Sequence, residues 1–229
     1  MNTPLLSIIV PVYNEAHTIK GIVEKVDSVR VDKEIIIVDD GSTDGTSQIL
    51  DSLRNENIRI LRHEKNKGKG AAVNTGIASA CGVFIVPQDA DYEYDPADLR
   101  LLLDHALKNS LPVVYGSRFT GKNSFGFTLH YFGNRFLTWM TNLLFNAGLT
   151  DMETCYKLVK SDLIKQLGLK SPGFAIEPEI TAKILKKGVK ISEIPVSYRP
   201  RRYKEGKKIT WKDGISAICC LASLRFGRG

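Results

Sequence analysis

Cysteine, histidine and tryptophan are scarce in this chain, and none falls into a pattern that does chemistry by itself. Cys81, Cys155, Cys219 and Cys220 show neither zinc-ligand nor C-x-x-C spacing, which fits reduced thiols in a cytosol. His17, His63, His105 and His130 share no motif, so no His-based triad is legible and each reads as a surface or packing residue. No uninterrupted apolar run reaches spanning length. The amino terminus enters a strand-like segment almost at once, so no secretory leader is expected. Repeats, low-complexity tracts and an interdomain linker are also missing, and 229 residues with 43% apolar content suffice for one sizeable core and a single domain over 1–229.

Acidic counterbalance is lacking in one place. Of a formal net charge of +7, the segment from Arg199 to Lys212 carries +6, with seven basic residues and one acidic. Such a loop is most simply solvated, or it meets an anionic partner. Tyr198, Tyr203 and Trp211 are too few to form a base-stacking platform, so no nucleic acid is expected, and diphosphate or anionic lipid headgroups are the better partners.

What is present begins with short apolar, β-branched runs. Leu5-Leu6-Ser7-Ile8-Ile9-Val10 reads as a buried strand, Ile19, Ile22, Val23 and Val26 as a helix, and Glu34-Ile35-Ile36-Ile37-Val38 as a second buried strand. Strand, helix, strand implies a parallel pair with a right-handed crossover, and in such sheets ligands bind outside the carboxyl ends of the strands. Asp39 and Asp40 are therefore placed to accept hydrogen bonds from a base or ribose. In the bland reading, Ser42, Thr43 or Asp44 caps the helix that continues through Ile49 and Leu53. A third strand, Ile58 to Leu61, precedes Asn66-Lys67-Gly68-Lys69-Gly70 and a helix from Ala71 to Ala80. Glycines and Lys69 before a helix suit phosphate binding, although the G-K-[ST] ending of a P-loop is missing and a simple turn is the alternative.

The strand Val83-Phe84-Ile85-Val86-Pro87 runs into Gln88-Asp89-Ala90-Asp91-Tyr92-Glu93. Alternate side chains of an extended segment share a face, so Asp89, Asp91 and Glu93 present three carboxylates to one side. A hard divalent cation turns that repulsion into attraction, which points to Mg2+ or Mn2+; a solvated acidic turn before Pro96 is the alternative.

Together these segments resemble the family-2 glycosyltransferases, and within them the dolichol-phosphate mannose synthase-like branch. The resemblance rests on Pro11-Val12-Tyr13-Asn14-Glu15, Val38 to Thr46, Asn66 to Gly70, Asp89-Ala90-Asp91, Gly116-Ser117-Arg118-Phe119, Thr150 to Lys157, Phe174 to Glu179 and Ile194 to Tyr198, in that order over about residues 5–215. It implies a three-layer α/β nucleotide-diphospho-sugar transferase fold of GT-A type, Rossmann-like with a mostly parallel sheet. It also implies that Pro11, Tyr13, Glu15, Val38 and Asp40 surround base and ribose, with Asp39 a close neighbour. Asp89 and Ala90 match sugar-nucleotide contacts, and Asp91 and Glu93 match metal ligands. Many relatives carry glutamine at the position of Glu93, which makes this site one charge more negative. Arg118, ending a strand from Pro112 to Gly116, matches a phosphate-binding arginine. Arg201 and Lys207 match a basic pair on a mobile loop over the donor, here enriched in cations.

The resemblance further implies a metal-dependent, inverting enzyme that moves a hexose from a sugar nucleotide, GDP-mannose first and a UDP-sugar second, to a polyprenyl or dolichyl phosphate. Such a phosphate needs no base, because its second pKa of about 6 leaves it mostly dianionic at neutral pH. Asp151 is the general-base candidate if a hydroxyl is the acceptor, in a soluble transferase acting on polysaccharide, lipid or protein; its alternative is a structural cap. A non-catalytic sugar-nucleotide-binding module is the reading from another class. Between Phe125 and Leu149 aromatic and aliphatic residues alternate with polar ones, as in a helix at a lipid interface or one packed in a core. A C-terminal amphipathic helix is expected over 213–225, where the apolar run Ile215 to Leu224 has ten residues. Relatives often continue into spanning helices there, so membrane contact is expected to be peripheral, at the cytoplasmic face, directly or through a membrane-anchoring partner protein.

Overall fold

The structure, a computed structural model, describes residues 3–121, 123, 129–201 and 210–227. Lys207 and most of the basic loop 199–212 lie outside these residues. Seven strands, β1 (Leu6–Val12), β2 (Lys33–Asp39), β3 (Ile58–Arg62), β4 (Phe84–Pro87), β5 (Val113–Ser117), β6 (Lys157–Lys160) and β7 (Ser192–Pro195), form one sheet in the order β3-β2-β1-β4-β6-β5-β7. β3, β2, β1 and β4 are mutually parallel, as are β5 and β7, while β6 runs antiparallel between β4 and β5. The expected strands are found with ends shifted by one or two residues, and β1 extends to Val12 because it pairs with β2 as far as Asp39.

Strand alternation builds two cores. Leu6, Ile8 and Val10 point to one face and pack against α1 (Ile19–Ser28) and α4 (Asp98–Lys108), through Ile22, Leu99 and Leu102. Ile9, Ile36 and Val38 point to the other, under α3 (Lys69–Ser79) and α7 (Ile176–Lys186), through Val73, Ile77 and Ile180. Helix, sheet, helix is the three-layer arrangement that near-continuous apolar strands demand. Of two short helices, α2 (Thr46–Asp51) follows the loop after β2 and α6 (Ser161–Lys165) follows β6 directly. Outside α7 a third apolar cluster joins α5 (Leu129–Phe145) and α8 (Trp211–Phe226), through Leu137, Ala182, Ala217 and Leu221. No described helix is long and apolar enough to cross a membrane.

Candidate active site

At the carboxyl ends of β1, β2 and β4 a cavity of ≈ 390 Å3 opens. Its walls come from Pro11, Val12, Tyr13 and Glu15 after β1, Asp40 after β2, Asn66, Gly68 and Lys69 before α3, and Asp89, Ala90, Asp91 and Glu93 after β4; Phe174 and Arg201 close it. Most residues expected to meet a donor thus converge on one space, although their segments are up to 186 residues apart.

The turn after β1 is stitched to the loop after β2. Ser42 Oγ accepts from Asn14 N–H at 3.0 Å, Thr46 Oγ1 from Glu15 N–H at 3.0 Å and Asp44 from Ala16 N–H at 3.1 Å, while Asn14 accepts from Thr43 N–H at 2.7 Å. These bonds fix Tyr13 and Glu15 at the rim. They also use the capping residues otherwise: helix α2 starts after Gly45 with no side-chain cap bond.

Val38 and Asp39 depart from expectation. Val38 is fully buried beneath α3, and Asp39 accepts from Ser42 N–H at 3.0 Å and from Ser47 Oγ, so its carboxylate is turned into the 42–47 loop and away from the cavity. Asp40 does line it, but as a scaffold. Its carboxylate accepts from Lys67 N–H at 2.9 Å and Gly68 N–H at 2.8 Å, and His63 Nδ1 lies 2.6 Å away. One buried carboxylate therefore shapes the Asn66–Gly70 loop. Gly68 has φ +97°, and a Cβ on Gly70 would sit 2.1 Å from the carbonyl oxygen of Ser171. That close approach brings the 171–174 segment, and with it Phe174, to the cavity wall.

Lys69 opens α3, two residues earlier than the expected start at Ala71, after Gly68, whose positive φ with extended ψ favours glycine. Its ammonium lies 2.7 Å from Asp89 and 3.3 Å from Glu177, and at 5.8 Å over the Phe174 ring. Burial works to lower the Lys69 pKa, but the two carboxylates and Cys155 beside it raise it well above the usual value. Burial likewise opposes ionisation of Asp89, and Lys69 overcomes it. Glu177 continues the chain of charge inward: 3.3 Å away stands Lys157, fully buried, which donates to the carbonyls of Met152 and Thr154 at 2.6 Å each.

Asp91 is held differently. Burial first, then the charges of Asp89 and Glu93, push its pKa up to about 7, against the pull of Arg201, which donates to it. Arg201 also lies 3.3 Å from Glu15, and its backbone N–H donates to Glu93 at 2.6 Å. Asp89 is thus paired with Lys69, while Asp91 and Glu93 share Arg201 through its side chain and its backbone N–H, and among the described residues no group of three acidic, His or Cys side chains is gathered closely enough to hold a metal ion. The donor set still fits a hard cation, being all oxygen with an excess of negative charge, and the Arg201 guanidinium stands where a cation would relieve Asp91.

Arg118 and Asp151 lie off the cavity. Arg118 donates to Asp151 through Nε and Nη2 at 2.7 Å each and through its backbone N–H at 2.9 Å, and Asp151 is fully buried. The expected phosphate ligand and the general-base candidate therefore neutralise each other inside the protein. Phe174, Glu177 and Lys157 were not singled out in the sequence; the motifs from Phe174 to Glu179 and from Thr150 to Lys157 were the available signals, with no role attached to these residues.

The architecture is a GT-A type α/β fold. Residues 7–168 match the family described as glycosyl transferase family 2, and the chain belongs to that family. It is 30% identical over 204 residues to the low-salt glycan biosynthesis hexosyltransferase Agl6 of Haloferax volcanii, covering 86% of this chain and 48% of that protein. An uncharacterized protein of Methanocaldococcus jannaschii is 29% identical over 199 residues, covering 82% of this chain and 86% of its own. Among solved structures, glucosyl-3-phosphoglycerate synthase from Mycobacterium tuberculosis with Mn2+, UDP and glucosyl-3-phosphoglycerate superposes with a TM-score of 0.74 at 18% identity, over 97% of this chain and 80% of that one. The same enzyme with Mn2+, UDP-glucose and phosphoglyceric acid gives 0.73 at 20% identity, over 96% and 79%.

Proposed function

We propose that the cavity binds a sugar nucleotide and that the chain transfers its hexose, with inversion, to a polyprenyl or dolichyl phosphate at the cytoplasmic face of a membrane. The observation that carries the reading is the meeting of Asp89, Asp91 and Glu93 with Lys69 and Arg201 at the strand ends. Carboxylates alone would repel a diphosphate and cations alone would need no such carboxylates; the two together suit a donor that arrives with a divalent ion. Relatives and fold neighbours act in the same direction, since one is named a hexosyltransferase and another was solved with Mn2+ and UDP-glucose.

In this reading Pro11, Tyr13, Glu15 and Asp40 form the side that receives base and ribose, and Asp89 and Ala90 face the sugar and diphosphate. Asp91, with Asp89 and Glu93, would hold Mg2+ or Mn2+, which neutralises charge on the departing diphosphate. With an ion held there Arg201 would be released from Asp91 and, with Lys69 and Lys207, would be available to the phosphate oxygens. Arg118 and Asp151 rigidify the adjoining wall. Because Asp151 is fully buried with both oxygens on Arg118, a hydroxyl acceptor finds no base there. A phosphate acceptor needs none, as it is mostly ionised near neutrality. That favours the prenyl phosphate over the hydroxyl acceptor, with GDP-mannose and UDP-glucose as the donors to try first.

The test is incubation of each donor with a short, soluble polyprenyl phosphate and Mn2+, followed by mass spectrometry and anomeric NMR of the product. A hexosyl phosphoprenol of inverted configuration is expected. Transfer only to sugar or glycerate hydroxyls, or a cavity that calorimetry finds empty of UDP and GDP, overturns the reading.

A further inference from the structure

The loop that leads to Lys69 is held by a residue outside every motif. His63, the first residue after β3, reads from the sequence as a surface or packing residue, yet its side chain is only 7% exposed and both ring nitrogens are engaged. Nδ1 lies 2.6 Å from Asp40 Oδ1, and Nε2 lies 2.9 Å from Thr75 Oγ1 on α3. The backbone N–H of His63 donates to the carbonyl of Asp39 at 2.9 Å, which sets the ring beside Asp40. Aspartate, imidazole and hydroxyl stand in line as in a nucleophilic triad, but Thr75 lies inside α3 and its hydroxyl donates to the carbonyl of Ala71 at 3.0 Å. The line ends in a helix and not in a nucleophile.

The hydrogen atoms on the ring follow from its partners. A carboxylate only accepts, so Nδ1 carries a hydrogen whether the imidazole is neutral or charged. The Thr75 hydroxyl absorbs the difference at the other nitrogen. It can donate to Nε2 of a neutral ring, or accept from Nε2–H of a charged one while donating to the Ala71 carbonyl. Asp40 keeps its His63 donor in both states.

That donor is independent of the loop. Asp40 Oδ1 accepts from His63 and from Lys67 N–H, and Oδ2 accepts from Gly68 N–H. A carboxylate offers about four acceptor positions, so one on Oδ2 is left over in a residue that lines the cavity. Lys67 and Gly68 belong to the loop that Asp40 shapes, and they cannot fix the carboxylate without being fixed by it. His63 comes from the end of β3 and Thr75 from α3, on either side of that loop, and they supply the outside reference.

We propose that His63 is a positioning residue for the donor site: with Thr75 it fixes the Asp40 carboxylate, and through it the Asn66–Gly70 loop, in the arrangement that receives a nucleoside diphosphate. This deepens the proposed function and rests on its reading of the cavity. His63 acts on contacts that ground state and transition state share, so it sets donor affinity and leaves the chemical step alone.

Calorimetry with UDP and GDP, donor kinetics and nitrogen NMR of histidine-labelled protein test it together. Nδ1 of His63 should stay protonated from about pH 6 to 8. His63→Leu should weaken nucleotide binding by about tenfold or more, raise the donor KM in step and leave kcat within about twofold. His63→Asn places an amide N–H where Nδ1–H was and should recover most of the loss. Thr75→Val removes only the ring's second anchor and should fall between wild type and His63→Leu. An Nδ1 without hydrogen overturns the proposal, as do unchanged affinity in His63→Leu, a His63→Asn no better than His63→Leu, or a fall in kcat at unchanged affinity. If His63→Leu does not fold, the wild-type ring and the affinities of His63→Asn and Thr75→Val decide. A wild-type chain that binds neither UDP nor GDP overturns the reading of the cavity instead; amide exchange at Lys67 and Gly68, faster in His63→Leu and restored in His63→Asn, then decides whether His63 fixes the loop.

Discussion

Two of the arginine–aspartate pairs among the described residues, Arg118 with Asp151 and Arg201 with Asp91, are made of residues with similar sequence credentials, and they do opposite things. Arg118 and Asp151 meet in a bidentate fork, with side chains 8% and 0% exposed, and all of the aspartate's near partners are fixed. Arg201 and Asp91 meet on the cavity wall, 17% and 8% exposed, and there the arginine is shared with Glu15 while the aspartate is crowded by Asp89 and Glu93. The closed pair is saturated: charge, geometry and hydrogen bonding all agree, and Asp151 drives the Arg118 pKa well above its usual value despite burial. The open pair is over-supplied with negative charge, and Asp91 remains pushed up to about 7 with Arg201 upon it. A saturated pair holds structure, and an over-supplied one accepts a further cation or exchanges its partner for an anion. The motif decides which residue types are present; burial and the count of neighbours decide the role.

That contrast can be broken most forcefully at Asp151. Asp151→Ala strands a buried guanidinium and should cost about 4 kcal/mol in chemical denaturation, whereas Asp91→Ala should leave the fold near wild-type stability. Equal stability of the two variants would erase the distinction. Next in size, Asp91→Ala should reduce metal-dependent turnover by about a hundredfold, as loss of a group acting on developing charge does, and should abolish the Mn2+ dependence of nucleotide binding in calorimetry; undiminished dependence sinks the proposed ligand. Arg201→Ala should lower kcat more than it weakens donor binding, by about thirtyfold for one charge-assisted hydrogen bond of about 2 kcal/mol. A change in donor affinity alone would make Arg201 a ground-state contact.

The smallest effect sharpens the comparison through pH. Burial first, then Glu177 and Asp151 against Lys157, push the Glu153 pKa up to about 7, and its Oε1 has no hydrogen-bond partner among the described residues. A carboxyl raised from 4.5 to about 7 is protonated when folded and ionised when unfolded between those values. The unfolded chain then binds fewer protons, so stability present below about pH 4.5 is lost as pH rises through 7. Glu153→Gln should flatten that fall and raise stability at pH 8 by on the order of 1 kcal/mol, the larger intrinsic figure being discounted for partial exposure. Thermal melts across pH 5 to 8 measure it, and parallel curves for variant and wild type contradict the assignment.

The strands and the crossover order were legible because buried parallel strands need continuous apolar, β-branched runs, and Leu5 to Val10, Glu34 to Val38 and Val83 to Pro87 supply them. The antiparallel β6 was not, since Lys157 to Lys160 is short and begins with a lysine whose burial is made tolerable by Glu177, two carbonyls and the Tyr115 ring. At the site, the convergence of Glu15, Asp40, Lys69, Asp89 and Asp91 follows from motifs placed at strand ends. The inward turn of Asp39 does not, because it depends on Ser42 and Ser47 offering donors across the next loop. For the segment from Phe125 to Leu149, core packing and interface were alternatives; α5 has one face packed and one exposed, a split that emerges only once α7 and α8 have covered their side.

By itself, the sequence determined the layered α/β fold and the family, because apolar periodicity and loop motifs are local properties that survive without coordinates. It also determined where the chain's cations collect, since charge is counted along the chain. Only the tertiary structure decided which carboxylate faces the cavity, which arginine is already neutralised and which helix faces stay uncovered. Those depend on neighbours brought together from segments more than a hundred residues apart, as Arg201 is to Asp91, and on the desolvation that such packing imposes.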